Sequence, residues 1–298
     1  MMTVPEPPRR PGRTYRPRRG RFRGAGLRRG LTVLAALAVA STGSALGGQA
    51  SDDALSHRVP SPARATYHVL DTLTTAIVTP VADVSIVLTM AMTLGATFEA
   101  DPAGVRFTGE LEAFSASLSG PMGSQTFDED IPGAYVFVLD PRGGVNVVSV
   151  PEFPEPAGST TPVVSLAHEM FPQLPDRAVQ PGDGWVDTVT WSHESPEAMV
   201  TTTNVHAYTL VGDTVIDGRT LLHIAISGEA ETKGTVGAPG MSAEQAISGA
   251  HTGFALWDPE RGAMHSMEIT RDYSGTMNSP MGEASMKVTG SSRRWLEK

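Results

Sequence analysis

Cysteine is absent from the chain, which excludes disulfides, thiolate metal sites, cysteine nucleophiles and a lipid-modified N-terminal cysteine. Lysine is nearly absent, with Lys233, Lys287 and Lys298 alone, so there is little scope for lysine-based catalysis or phosphate clamps. Catalytic signatures are missing as well. There is no G-x-S-x-G elbow, S-x-x-K, H-E-x-x-H or G-x-x-x-x-G-K-[ST], and no G-x-G-x-x-G anchored on a strand. No apolar run approaches the roughly 20 residues that a membrane-crossing helix requires.

Charge is present but unevenly placed. Ten of the 23 basic residues and one of the 32 acidic residues fall within residues 1–50, so residues 51–298 carry 13 and 31, a net charge of −18 against −9 for the whole chain. An acidic surface of that size repels phosphate backbones and anionic lipid, which argues against nucleic acid as a partner and against polybasic membrane docking. The basic leader runs into Leu31–Ala40, LTVLAALAVA, and then into the small polar stretch STGSALGGQA. An apolar core of about ten residues behind a basic region is the form of an export signal peptide. Residues 1–50 are therefore expected to be a signal peptide and the mature protein to lie outside the cytoplasm, in the periplasm or beyond, with no transmembrane segment. Gly43-Ser44-Ala45 and Gly48-Gln49-Ala50 are the small-x-small processing sites, the second preferred. Arg18-Arg19 and Arg28-Arg29 leave both the general and the twin-arginine route open.

What fills the rest is β chemistry. Ala250–Arg271, AHTGFALWDPERGAMHSMEITR, reads as two antiparallel strands around a tight loop. Asp258 can accept N–H bonds inside the loop, Pro259 presets φ, and Gly262 supplies the φ > 0 position. The same chemistry recurs at Asp140-Pro141-Arg142-Gly143-Gly144 and at Asp101-Pro102-Ala103-Gly104. Between such loops lie runs rich in Thr, Val, Ile, Phe and Tyr. Val105, Phe107 and Gly109 alternate with Arg106, Thr108 and Glu110, the pattern of an antiparallel sheet with one wet side. The expected organisation is a disordered tether over residues 51–64, a first β half over 65–150, a proline-rich linker with a short helix over 151–182, and a second β half over 183–298. The helix is expected over Val163–Met170, stopped by Phe171-Pro172. The two halves share a layout, a Gly-Pro turn followed by a strand ending in Asp-Pro, offset by 118 between Asp140 and Asp258 but with Phe137 and Phe254 one position out of phase. That fits a duplicated module, and it fits equally the self-likeness of any hairpin-rich chain.

The stretch PGDGWVDTVTW, followed by HAYTLVGDTVIDGRTLLHIAISG and GFALWDPERGAMHSMEI, resembles a group of exported bacterial proteins of unknown function, over roughly Pro181–Met267. Its motifs are Gly-Asp-x-Trp, Asp-Gly-Arg and a Gly-closed hairpin, turn and strand signatures without catalytic content. More distantly, the layout is similar to half-barrel carriers of lipoproteins and lipids in bacterial envelopes. The resemblance implies fold and compartment and leaves activity open.

The fold expected is all-β with one short helix, an antiparallel meander curved into a half-barrel or two packed sheets, the helix lying against the concave side or plugging one end. The function expected is non-catalytic binding or structure at the cell envelope, with an apolar small molecule or lipid in the concavity and no cofactor. A hydrolase-type enzyme assembled from dispersed residues and a protein-interaction module working through a sheet edge are the alternatives. The residues nominated for the ligand are Met267 and Ile269, opposite the polar set Ser266, Glu268 and Thr270, joined by Phe254 and Leu256 provided that the hairpin register turns them to the same side. Trp191-Ser192-His193-Glu194-Ser195 is read as a polar loop and His168-Glu169 as structural. Met264, His265, Met267, Met277, Met281 and Met286 raise a copper question. Strand alternation turns Met264 away from His265 and Met267, so core packing is the better reading and no metal site is expected.

Overall fold

A computed structural model describes residues 55–297, apart from 81, 122, 129, 154–162, 196–197, 238–241 and 281. The expected signal peptide and Met281 lie outside the described residues. Twelve strands form a single antiparallel sheet curled into a half-barrel, with one short helix. In chain order these are β1 (Arg64–Val78), β2 (Asp83–Asp101), β3 (Gly104–Gly120), β4 (Gly123–Phe127), β5 (Ala134–Leu139), β6 (Val145–Ser149), α1 (Val163–Glu169), β7 (Gly184–Ser195), β8 (Ala198–Ile216), β9 (Arg219–Val236), β10 (Ala243–Asp258), β11 (Ala263–Ser279) and β12 (Gly282–Leu296). The spatial order is β6-β5-β3-β2-β1-β12-β11-β10-β9-β8-β7, with β4 on the far part of β3. Most strands pair with their sequence neighbours; β3 also pairs with β5, and at the centre β1 joins β12 (Tyr67 opposite Leu296, Val78 opposite Ser285) and makes one sheet of the two halves.

The turns follow from local chemistry. Asp101 Oδ1 accepts from the Ala103 N–H at 3.0 Å, Asp140 Oδ1 from those of Arg142 and Gly144 at 2.8 Å each, and Asp258 Oδ1 from that of Arg261 at 2.9 Å. Gly262 sits at φ 67° and donates its N–H to the Asp258 carbonyl at 2.8 Å, as the Asp-Pro reading requires. Asp217 and Gly218, at φ 51° and 77°, make the two-residue β8–β9 turn, the paired φ > 0 geometry that Asp-Gly supplies.

Alternation carries the burial. Val105 and Phe107 are buried while Arg106 and Thr108 are not, and β2 buries Leu88, Met90, Met92, Leu94, Ala96 and Phe98 in strict alternation. At one end of the concavity these side chains meet the segment after α1. The Phe171 ring stands edge-on to Tyr67, Phe98, Phe107 and Phe137 at centroid distances of 5.8, 6.3, 5.5 and 6.2 Å, the favoured aromatic geometry. The segment is also held by its backbone. The Pro172 carbonyl meets His57 Nε2 at 3.0 Å, the Gln173 carbonyl accepts from Trp185 Nε1 at 3.0 Å, and the Leu174 N–H donates to the Arg142 carbonyl at 2.6 Å. The tryptophan of the Gly-Asp-x-Trp pattern thus pins the plug, and it stacks on Tyr208 at 5.4 Å. Helix α1 lies beside both edge strands, β6 and β7.

Three expectations need correction. Residues 55–63, expected within a disordered tether, lie against the sheet. His57 is buried against Trp257, and Arg58 Nη2 donates to the carbonyls of Pro259 and Glu260 at 2.8 and 2.9 Å. Trp191–Ser195 is the end of β7 and not a loop, because Thr cross-pairs such as Ser192 Oγ to Thr201 Oγ1 (2.9 Å) continue the ladder. A β-bulge between Leu256 and Trp257 places Met264 opposite Trp257 and Met267 opposite Ala255, so both methionines are buried on the concave side while His265 is left outside that burial.

Candidate functional site

Inward positions change character along the barrel. Beyond the aromatic end lies a belt of ionisable groups. Arg271 follows Met267 and Ile269 on the inward parity of β11, Arg294 and Ser292 occupy the inward positions of β12, and Asp71 stands opposite Ser292 on β1. Glu169, the last residue of α1, reaches into the belt: its Oε2 lies 2.7 Å from Arg271 Nη2 and 3.6 Å from Arg294 Nη2, and its Oε1 accepts from Asn204 Nδ2 at 3.2 Å. Only 2% of the Arg294 side chain and 15% of the Glu169 side chain are exposed. Burial alone would raise the Glu169 pKa. The two arginines reverse that and hold its carboxyl below the usual range, so it is a carboxylate at neutral pH. Burial works against the charge on Arg294, whose pKa is lowered although Asp71 and Glu169 offset it.

Two histidines complete the belt, His206 Nδ1 and His251 Nε2 being 2.8 Å apart. Burial lowers both, His251 to about 4 with help from His206 and Arg271, so the pair is neutral and one nitrogen donates to the other. The pairing leaves His251 Nδ1 without a partner.

Past the belt the concave face opens into a cavity of about 260 Å³. Leu73, Leu88, Met90, Val200, Val236 and Val288 line it beside Thr202, Thr232, Gln245 and Tyr273, with Asp71, Glu169, Arg271 and Arg294 where it meets the belt and Trp191 and His193 from β7. Gly228, Gly249, Gly253, Gly275 and Gly290 fall at inward positions of β9 to β12, where each strand passes close to its neighbour's backbone. A Cβ on Gly253 would lie 1.9 Å from the Glu268 carbonyl oxygen of the neighbouring strand, so backbone approach requires glycine there. The volume falls just under the roughly 300–1,000 Å³ of small-molecule sites, and the composition is theirs, a mostly apolar wall with a few convergent polar groups.

The four residues nominated from sequence fall on both faces of the sheet, with Met267 also reaching the groove lined by Phe254 and Leu256. Met267 and Ile269 are buried core, and the void beside them is about 10 Å³, at the lower limit for one water molecule. Phe254 pairs with Glu268 and Leu256 with Ser266, on the opposite face of the sheet, where they line a groove of about 570 Å³ with Arg293 and Trp295. The register therefore separates the two pairs. Sequence reading passed over Asp71, Arg271 and Arg294 and took Glu169 as structural. A signal for three of them was available: each is an ionisable residue at the inward parity of a strand whose other inward positions are apolar or small.

No protein-family model matches the chain, and no curated protein matches it. The motif pattern read over Pro181–Met267 thus has no sequence family behind it. A solved structure, the crystal structure of a DUF1329 family protein from Desulfovibrio piger, aligns over 75% of this chain and 83% of its own at 10% identity. Its TM-score of 0.14 is too low to carry any argument.

Proposed function

We propose that the chain is an exported, non-catalytic binding protein of the cell envelope, which holds an apolar small molecule or lipid in the concavity of its half-barrel. The observation that carries the reading is the cavity of about 260 Å³ with a mostly apolar wall and a few convergent polar groups. At its edge Glu169 is held by two arginines and Asn204, and in the belt His206 and His251 pair together. Export rests on the basic leader, the short apolar run and the net −18 of residues 51–298.

The test is native mass spectrometry of protein recovered from its own envelope, with titration of an apolar fluorophore such as N-phenyl-1-naphthylamine. A co-purified small-molecule mass, and saturable binding of the dye in competition with it, are expected. A protein that carries no mass and binds no dye would overturn the reading. The same spectrum reads the processing site: a mature chain starting between Leu46 and Ser51 is expected, and retention of Leu31–Ala40 would mean an anchor.

A further inference from the structure

The end of the cavity that meets the belt defines what it takes. Arg294, 1% exposed, has Nε and Nη1 buried without an acceptor, since its contact with Glu169 uses Nη2. Trp191 Nε1 is a third buried donor without a partner, and His193 Nε2 and Ser292 Oγ are also unpaired. Asp71 Oδ1 is an unpaired acceptor, while Ser292 Oγ and His193 Nε2 can each donate or accept. Asp71, Trp191, His193 and Arg294 all line the cavity, and Ser292 is the ladder partner of Asp71. Buried polar groups are normally satisfied, so this concentration of unpaired atoms in one cavity marks the place of a polar ligand group.

Charge then decides between polar groups. Two arginines and two carboxylates meet here, so the fixed charges cancel, and the histidines of the belt are neutral. A carboxylate or phosphate head would add an uncompensated negative charge to a desolvated site, beside Asp71. A purely aliphatic ligand would leave every donor unpaired. A hydroxyl accepts from a guanidinium or indole N–H and donates to a carboxylate oxygen, and a carbonyl accepts from the rest.

We infer that the cavity selects an uncharged, hydroxyl- and carbonyl-bearing amphiphile, a fatty-acyl glycerol monoester in kind. Its oxygens lie among Arg294, Trp191 and Asp71, and its chain runs along Leu73, Val200 and Val288 toward the mouth. The inference rests on the reading of the cavity as a ligand site and adds the head-group class.

The experiment is displacement of N-phenyl-1-naphthylamine from the purified chain at pH 8 by 1-decanoylglycerol, decanoate and methyl decanoate, each below its micelle concentration. The glycerol ester is expected to bind roughly tenfold or more tighter than the other two, the factor that 1.4 kcal/mol represents. In Asp71→Asn, which leaves the arginines in excess, decanoate should gain on the glycerol ester by a similar factor. Decanoate binding as tightly as the glycerol ester, or all three binding alike because water fills the polar end, would overturn the inference while leaving the carrier reading intact. Dye that binds nowhere, or is displaced by none of the three, removes the carrier reading itself. If Asp71→Asn does not fold, the ligand series on the unaltered protein still decides.

Discussion

Removing the Phe171 ring should unfasten the plug from the sheet. The ring is 5% exposed and stands edge-on to four aromatic rings on three strands, β1, β2 and β3, and on β5 beyond them. Phe→Ala at a packed site costs about 3–5 kcal/mol, the lost transfer energy plus the cavity left behind. The neighbours here are rigid rings on paired strands that do not collapse into the gap, so the lower end of that range is not expected and about 4 kcal/mol is. For a chain of this size 1 kcal/mol shifts the melting temperature by about 2–4 °C, so Phe171→Ala should melt about 8–16 °C lower. Phe171→Leu, which keeps most of the volume, should lose about half as much. Circular dichroism melts of the three proteins decide it. A drop of under about 3 °C for the alanine variant would refute the reasoning, because the segment after α1 would then contribute little to the barrel core.

Three further outcomes are expected. Gly262→Val forces a β-branched residue to φ 67°, with its Cβ 2.5 Å from Arg58 Cγ; a loss of about 1–3 kcal/mol in thermal unfolding is expected, and an unchanged midpoint would mean that the loop relaxes freely. Glu169→Gln leaves Arg271 and Arg294 buried without their carboxylate and should cost about 3 kcal/mol in urea unfolding, whereas a surface pair would show almost nothing. Burial lowers His57 and His251 to about 4 from an ordinary 6.5; the unfolded chain takes up these protons first, so stability is full above pH 6.5 and falls between 6.5 and 4, by about 3 kcal/mol for the fully buried His57. Urea midpoints that stay level from pH 7 to pH 4.5 would show that these histidines are solvated.

The sequence was legible where structure is local. The Asp-Pro loops were readable because one aspartate and one glycine complete each within five residues, and α1 was readable because Pro172 limits it. The inward parity of Val105 and Phe107 follows from period two alone. The bulge at Leu256 was not legible, and it decides that Met264 shares a face with Met267. Nor was the partnership of Glu169 with Arg271, 102 residues later, because it depends on which strands become neighbours as the sheet curls. The burial of Met267 and Ile269 was illegible for a related reason: alternation says which residues point inward, but tertiary packing decides which inward residues meet empty space.

The pairing of β1 with β12 sets a clock as well as a topology. The two strands at the middle of the sheet are the first and the last to be synthesised, so until residues 282–296 exist the chain holds two separate open sheets, each with a long unpaired edge. The loop that this pairing closes spans nearly the whole of the described chain, the costliest closure in a sheet otherwise built from hairpins. Truncation at the C-terminus would not trim an edge but split the sheet down the centre.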